Sequence, residues 1–163
     1  MIGEAEVRRL ARQWGVDPML VDLDYVLGFF LASLYRREWA KNLVFKGETC
    51  LRKCYYAGYR FSEDLDFTAI HSLDAQELKD QLMKVIRIAE DVWQIDFSVR
   101  PIRVDILEDE YGKETYQARI YYRGRCGAPE IPAPSEWTSR RMKRWPFNLP
   151  GERSSIPIPM RSY

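Results

Sequence analysis

The 163-residue chain carries 25 lysines and arginines against 24 aspartates and glutamates, and is 46% hydrophobic and 30% charged. Those proportions exclude a disordered chain, and a formal net charge of +1 leaves any basic surface for nucleic acid to local clustering. No run of about 18 apolar residues occurs, and the start MIGEAEVRRLARQW is amphipathic and contains acids, which reads neither as a signal peptide nor as a membrane anchor; a soluble cytoplasmic protein with no membrane partner is the expectation.

Val7, Leu10, Ala11 and Trp14 follow helical spacing, Gly15 breaks it, and Asp17-Pro18 restarts it in the preferred order of cap and first-turn proline. The second helix is predicted over Pro18 to about Trp39, with Leu20, Leu23 or Asp24, Leu27, Leu31 and Leu34 as its buried stripe and Arg36 and Arg37 in its last turn. Leu43-Val44-Phe45 reads as a short buried strand, Gly47 to Thr49 as a turn, and Cys50 to Ala57 as a short helix closed by Gly58. Cys50 and Cys54, one helical turn apart, read as small residues packing a helix face. With Cys126 and the single histidine, His71, they form neither a disulfide framework nor a zinc site. Arg60 to Ala69 is predicted as a strand with Phe61, Glu63, Leu65 and Phe67 on one face, apolar except for Glu63, and the polar residues Ser62, Asp64, Asp66 and Thr68 on the other. His71 belongs to the loop that follows, on the surface.

Asp74, with Glu77 three residues on, opens an amphipathic helix whose apolar positions Leu78, Leu82, Val85, Ala89 and Val92 carry it to about Trp93. Phe97 to Leu107 and Glu114 to Arg123 read as a hairpin about the turn Asp109 to Lys113, with Ile102, Val104 and Ile106 matched to Tyr116, Ala118, Ile120 and Tyr122. Beyond Gly124 the pattern stops. Seven of the nine prolines fall there (Pro129, Pro132, Pro134, Pro146, Pro150, Pro157, Pro159), beside a basic cluster of Arg140, Arg141, Lys143 and Arg144, so residues 125–163 are expected to be mostly irregular after a folded domain of residues 1–124.

The residues that carry chemistry lie between Leu43 and Phe67. Asp64 and Asp66, at i and i+2 of a predicted strand, point to one face, a geometry that suits a divalent metal. A glycine turn at Gly47 feeding a helix start supplies backbone N–H groups and a positive dipole end for phosphates. Ser62 shares the polar face and can donate to a phosphate oxygen, while Lys46 is either a charge neutraliser or a surface lysine. Arg52 and Lys53 read as solvated, and Arg60 as a phosphate contact or a partner for one aspartate. Together these features point to metal-assisted nucleotidyl transfer.

The run Phe45-Lys46-Gly47-Glu48-Thr49-x-Leu51-Arg52, followed by Arg60-Phe61-Ser62-Glu63-Asp64-Leu65-Asp66-Phe67, resembles the signature of the AbiEii-type nucleotidyltransferase toxins, within the polymerase-β-like nucleotidyltransferase superfamily. The resemblance extends to Asp24-Tyr25-Val26-Leu27 and to Tyr116–Gly124. It implies an α/β (α+β) fold, a mixed β-sheet flanked by helices with a nucleotidyltransferase core that is incomplete at its C-terminus. It also implies a magnesium-dependent toxin of a toxin–antitoxin pair, moving a nucleotide from a nucleoside triphosphate to an acceptor such as tRNA. Asp64 and Asp66 would be catalytic and bind the metal, with Lys46, Gly47, Thr49 and Ser62 at the phosphates.

Two positions depart from the pattern. Glu48 stands where the family has a second small residue, and no aspartate follows Asp109 to supply a third carboxylate, Asp105 being the one strand aspartate available as a substitute. A truncated or frameshifted reading frame after Gly124 would account for the second departure. The alternatives are an inactive fragment or binding module that keeps the cleft, and a small-molecule nucleotidyltransferase of the aminoglycoside type.

Overall fold

The computed structural model describes residues 2–108 and 114–125 and the backbone of residues 132–133. Helix α1, Glu4–Trp14, buries Val7 and Ala11, and Gly15 ends it with a left-handed φ of 67°. Helix α2, Pro18–Leu34, starts as the Asp17-Pro18 pair predicts, the Asp17 carboxylate accepting from the Met19 N–H at 2.7 Å.

This second helix stops at Leu34, short of Trp39. Arg37 turns extended and a 3-10 turn, Glu38–Asn42, follows. The reason is packing: Ala40 is fully buried and Trp39 packs on the core, whereas a straight continuation of α2 would carry both past it. Arg36 and Arg37 therefore lie beyond the helix. Leu23, Leu27, Leu31 and Leu34 are buried as expected, Leu20 only partly. The stripe is wider than predicted, because Val21 packs with Val7 and Ala11 of α1 while Val26 and Phe30 also face the main core.

Strand β1, Leu43–Lys46, pairs antiparallel with β2, Asp66–Ala69, in a register that sets Leu43 against Ala69 and Lys46 against Asp66. The strand expected from Arg60 is therefore only its last four residues: β1 offers four partners, β2 uses all of them, and residues 60–65 belong to no helix or strand. Between the strands the chain forms α3, Gly47–Cys50, and runs directly into a π-helical turn, Leu51–Tyr55. Gly47 belongs to the helix rather than to a separate turn, and Gly58 lies past its end, which falls at Tyr55. Cys50 is buried as expected, but Cys54 faces solvent.

Helix α4, Ala75–Trp93, is capped by Asp74, which accepts from the Gln76 N–H at 2.7 Å. It buries Leu78, Leu82, Val85 and Ala89, while the predicted Val92 is exposed. Trp93 makes the contact with α2 instead: its ring stacks on Phe29 at 4.7 Å and its Nε1 donates to Ser33 Oγ at 3.1 Å. Strands β3, Arg103–Glu108, and β4, Glu114–Tyr121, form the expected hairpin with Val104 opposite Ala118 and Ile106 opposite Tyr116, although both are shorter than the sequence suggests. Tyr116, Ala118, Ile120 and Tyr122 are buried; Ile106 is exposed. Pro132–Ala133 adds β5 along β4 at the edge of this sheet, the place open to a residue without an N–H.

The result is an α/β architecture of the kind expected, a core of α2, α4, β1, β2 and β4, in which the described strand pairings are antiparallel and fall into two small sheets. The turn Asp109 to Lys113, Cys126 and the basic cluster Arg140 to Arg144 lie outside the described residues, as do the tail prolines other than Pro132.

Candidate active site

Gly47 sits where β1 becomes α3, with a φ of 76° that favours glycine. A side chain there would also collide with Asp66: a Cβ on Gly47 would meet the Asp66 Cγ at 2.8 Å, with Oδ2 nearer still. Glycine is thus required twice, once by the backbone and once so that the Asp66 carboxylate can lie against the start of α3. The β1–β2 register explains how the two meet, because Lys46, the residue before Gly47, is the cross-strand partner of Asp66.

Asp64 precedes the ladder and is held differently. Thr49, 1% exposed, donates its hydroxyl to the Asp64 carbonyl at 2.5 Å. The Asp64 side chain is half-buried, with its Oδ1 shielded from solvent, and Leu65 and Phe67 anchor the intervening positions in the core. Asp64 and Asp66 are each only partly buried on either side of the Leu65 anchor, whereas Thr68, expected on the same polar face, is buried at 3% exposure. Ser62, of the same parity, is half-buried too.

The two charged residues at the rim pair with each other. Arg60 forms an ion pair with Glu48, so the carboxylate that departs from the family pattern is offset by a neighbouring cation and Arg60 is paired with neither aspartate through that contact.

Arg52 and Lys53 are not solvated. Both converge on Asp24 of α2: Arg52 Nε lies 3.0 Å from its Oδ1 and Lys53 Nζ 2.7 Å from its Oδ2, with the three side chains 13%, 23% and 14% exposed. Lys53 also donates to the Asp24 carbonyl, and Gly28 leaves room for its ammonium. Burial pulls the Lys53 ammonium below its ordinary value, with Asp24 working against that shift. Arg52 further donates to the Tyr59 carbonyl at 2.5 Å and lies over the Phe61 ring at 3.6 Å, and Phe61 meets Trp14 of α1 at 5.8 Å. Sequence reasoning missed this group, although an acid within the apolar pattern of α2 is a signal that a buried cation must meet it.

Asp105 lies in β3 beside Arg103 and Arg119, with Oδ1 2.8 Å from Arg103 Nε and Oδ2 3.6 Å from Arg119. Among the described residues no group of three His, Cys, Asp or Glu gathers around a metal position. His71 is exposed, as expected, its backbone N–H bonded to the Asn42 side chain. No described helix is long and apolar enough to cross a membrane.

Comparison with protein families matches residues 30–133 to the nucleotidyl transferase AbiEii toxin family, a type IV toxin–antitoxin system. The matched stretch includes both aspartates, the Gly47 helix start, the hairpin and β5, and runs past Gly124; Asp24 to Leu27 precede it. No curated protein and no solved structure matches the chain. With a match across well over half of its length, and with a mixed α/β architecture consistent with the polymerase-β-like nucleotidyltransferase fold, the chain belongs to the AbiEii nucleotidyltransferase toxin family.

Proposed function

We propose that this protein transfers a nucleotide from a nucleoside triphosphate to an acceptor hydroxyl on tRNA, with Mg²⁺, and that a cognate antitoxin restrains it. The observation that carries this reading is that the Asp66 carboxylate lies in the space a Cβ on Gly47 would fill, which sets an acidic side chain against a glycine-initiated helix start. Two carboxylates fit Mg²⁺, which takes one or two from protein and completes its shell with water and substrate phosphates. Asp64 and Asp66 are the residues that would hold it. The ion, when bound, supplies charge stabilisation at the reacting phosphoryl group.

The remaining chemistry belongs to the chain. The acceptor hydroxyl attacks the α-phosphorus and gives up its proton to solvent, the bond from that phosphorus to the bridging oxygen breaks, and pyrophosphate leaves with that electron pair. Lys46, placed opposite Asp66, and Ser62 are assigned to the phosphate oxygens, with the Gly47 backbone beneath them. Thr49, which the resemblance places at the phosphates, has a further duty: its hydroxyl donates to the Asp64 carbonyl and so holds the backbone at that aspartate. The Glu48–Arg60 pair reduces the repulsion a lone carboxylate would exert on a triphosphate.

A second reading, a binding module without catalysis, is favoured by one observation: the nearest substitute for a third carboxylate, Asp105, is paired with two arginines. Incubation with each α-labelled triphosphate, Mg²⁺ and total tRNA separates the two. The enzyme reading expects label on RNA with the wild type and none with Asp64→Ala or Asp66→Ala; no product with any triphosphate would leave the binding module, and label persisting in both variants would move the site elsewhere.

A further inference from the structure

The segment that bears Ser62 and Asp64 has no strand ladder to place it, since residues 60–65 belong to no helix or strand. Besides the Leu65 anchor in the core and the Arg60–Glu48 ion pair, it is held by side chains reaching out of the preceding helical stretch. Thr49 holds the Asp64 end through the carbonyl, and Arg52 holds the opposite end through the Tyr59 carbonyl and the face of Phe61. The guanidinium spans this gap while Asp24 on α2 fixes its Nε, which ties the segment to a helix in the main core. Its planar fork allows hydrogen bonding at its edge and stacking on its face at once, which an ammonium does not.

We propose that Arg52 is a positioning residue for the carboxylate site: by joining Asp24, the Tyr59 carbonyl and the Phe61 ring, it sets where Ser62 and Asp64 stand relative to Gly47 and Asp66. This rests on the reading of Asp64 and Asp66 as the metal-holding pair. A group that orients a ligand-bearing segment acts on metal affinity without touching the metal, typically by about 10-fold or more.

The test uses the full chain, with Mn²⁺ as a spectroscopic probe, and compares the wild type with Arg52→Lys, Asp64→Asn and Asp66→Asn. Free Mn²⁺ is followed by paramagnetic resonance, and amide hydrogen exchange and thermal midpoint are measured without metal. Arg52→Lys keeps a cation beside Asp24 but loses the simultaneous reach to Tyr59 and Phe61. The expected result is an approximately 10-fold weaker Mn²⁺ affinity together with faster exchange confined to residues 59–66, while α4 and the thermal midpoint are unchanged. Unchanged affinity would overturn the proposal, even with faster local exchange, because Arg52 would then be a purely structural brace. Faster exchange that includes α4 would overturn it as a general fold defect. Failure of the wild type to bind Mn²⁺, or binding unaltered in both aspartate variants, would overturn the metal reading itself and the proposal with it; the exchange pattern would still report whether Arg52 holds the segment.

Discussion

Gly47 and Thr49 show how single residues set the site. Replacing Gly47 by alanine places an L-residue at a φ of 76° and a methyl group on the Asp66 carboxylate. The backbone conformation alone costs about 1–2 kcal/mol. We therefore expect lower stability in denaturant unfolding and a displaced Asp66, read as weaker Mn²⁺ binding. Thr49→Val keeps the shape but removes the hydroxyl from the buried contact with the Asp64 carbonyl, an expected loss of about 1–3 kcal/mol. Thr49→Ser retains the donor and should recover most of that loss by the same measurement. If valine and serine behave alike, the hydroxyl is not what orients Asp64.

At the scale of elements, the long helices follow local rules and the short segments follow their partners. Asp17-Pro18, Gly15, Asp74 and the apolar spacing of α4 identify helix starts, stops and faces because each acts on its own neighbours. The end of α2 depends on where Trp39 and Ala40 pack, and the length of β2 depends on β1 having four residues, neither of which local periodicity contains. The same distinction holds in the site: Asp64, Asp66 and Gly47 are legible from spacing, whereas the partners of Arg52, Lys53, Thr49 and Arg60 arise from contacts distant in sequence. Leu82, fully buried in α4, is expected to cost about 2–5 kcal/mol when changed to alanine, measured by denaturant unfolding. Asp96 links the loop after α4 to the end of β4; the Ser98 hydroxyl, the Arg123 guanidinium and the Ser98 N–H hold its carboxyl at about 2, below the reference of 3.8. Because the folded value is the lower one, its contribution is present above the unfolded value and is lost as pH falls from about 4 to about 2. Asp96→Asn should therefore flatten the loss of stability across that interval in acid unfolding monitored by circular dichroism. An unchanged slope would show that the pairing with Arg123 and Ser98 contributes nothing.

For the whole molecule, the proposed phosphoryl chemistry rests on family membership, an α/β core and the Asp66 carboxylate beside a glycine-initiated helix. The core gathers α2, α4 and both sheets; Asp66 is placed on it by the β1–β2 ladder, whereas the Asp64 side of the segment is tied to it by Leu65, Thr49, Arg52 and Asp24. Asp64 and Asp66 are proposed to support metal-dependent nucleotide transfer together. The most direct test is the rate of labelled nucleotide incorporation into tRNA as Mg²⁺ is titrated, for the wild type, Asp64→Asn and Asp66→Asn, each first shown to be folded. The account predicts transfer that rises with Mg²⁺ and vanishes with chelator in the wild type, and background incorporation in both variants. Transfer by either folded variant at the wild-type rate, or by the wild type without Mg²⁺, would contradict it.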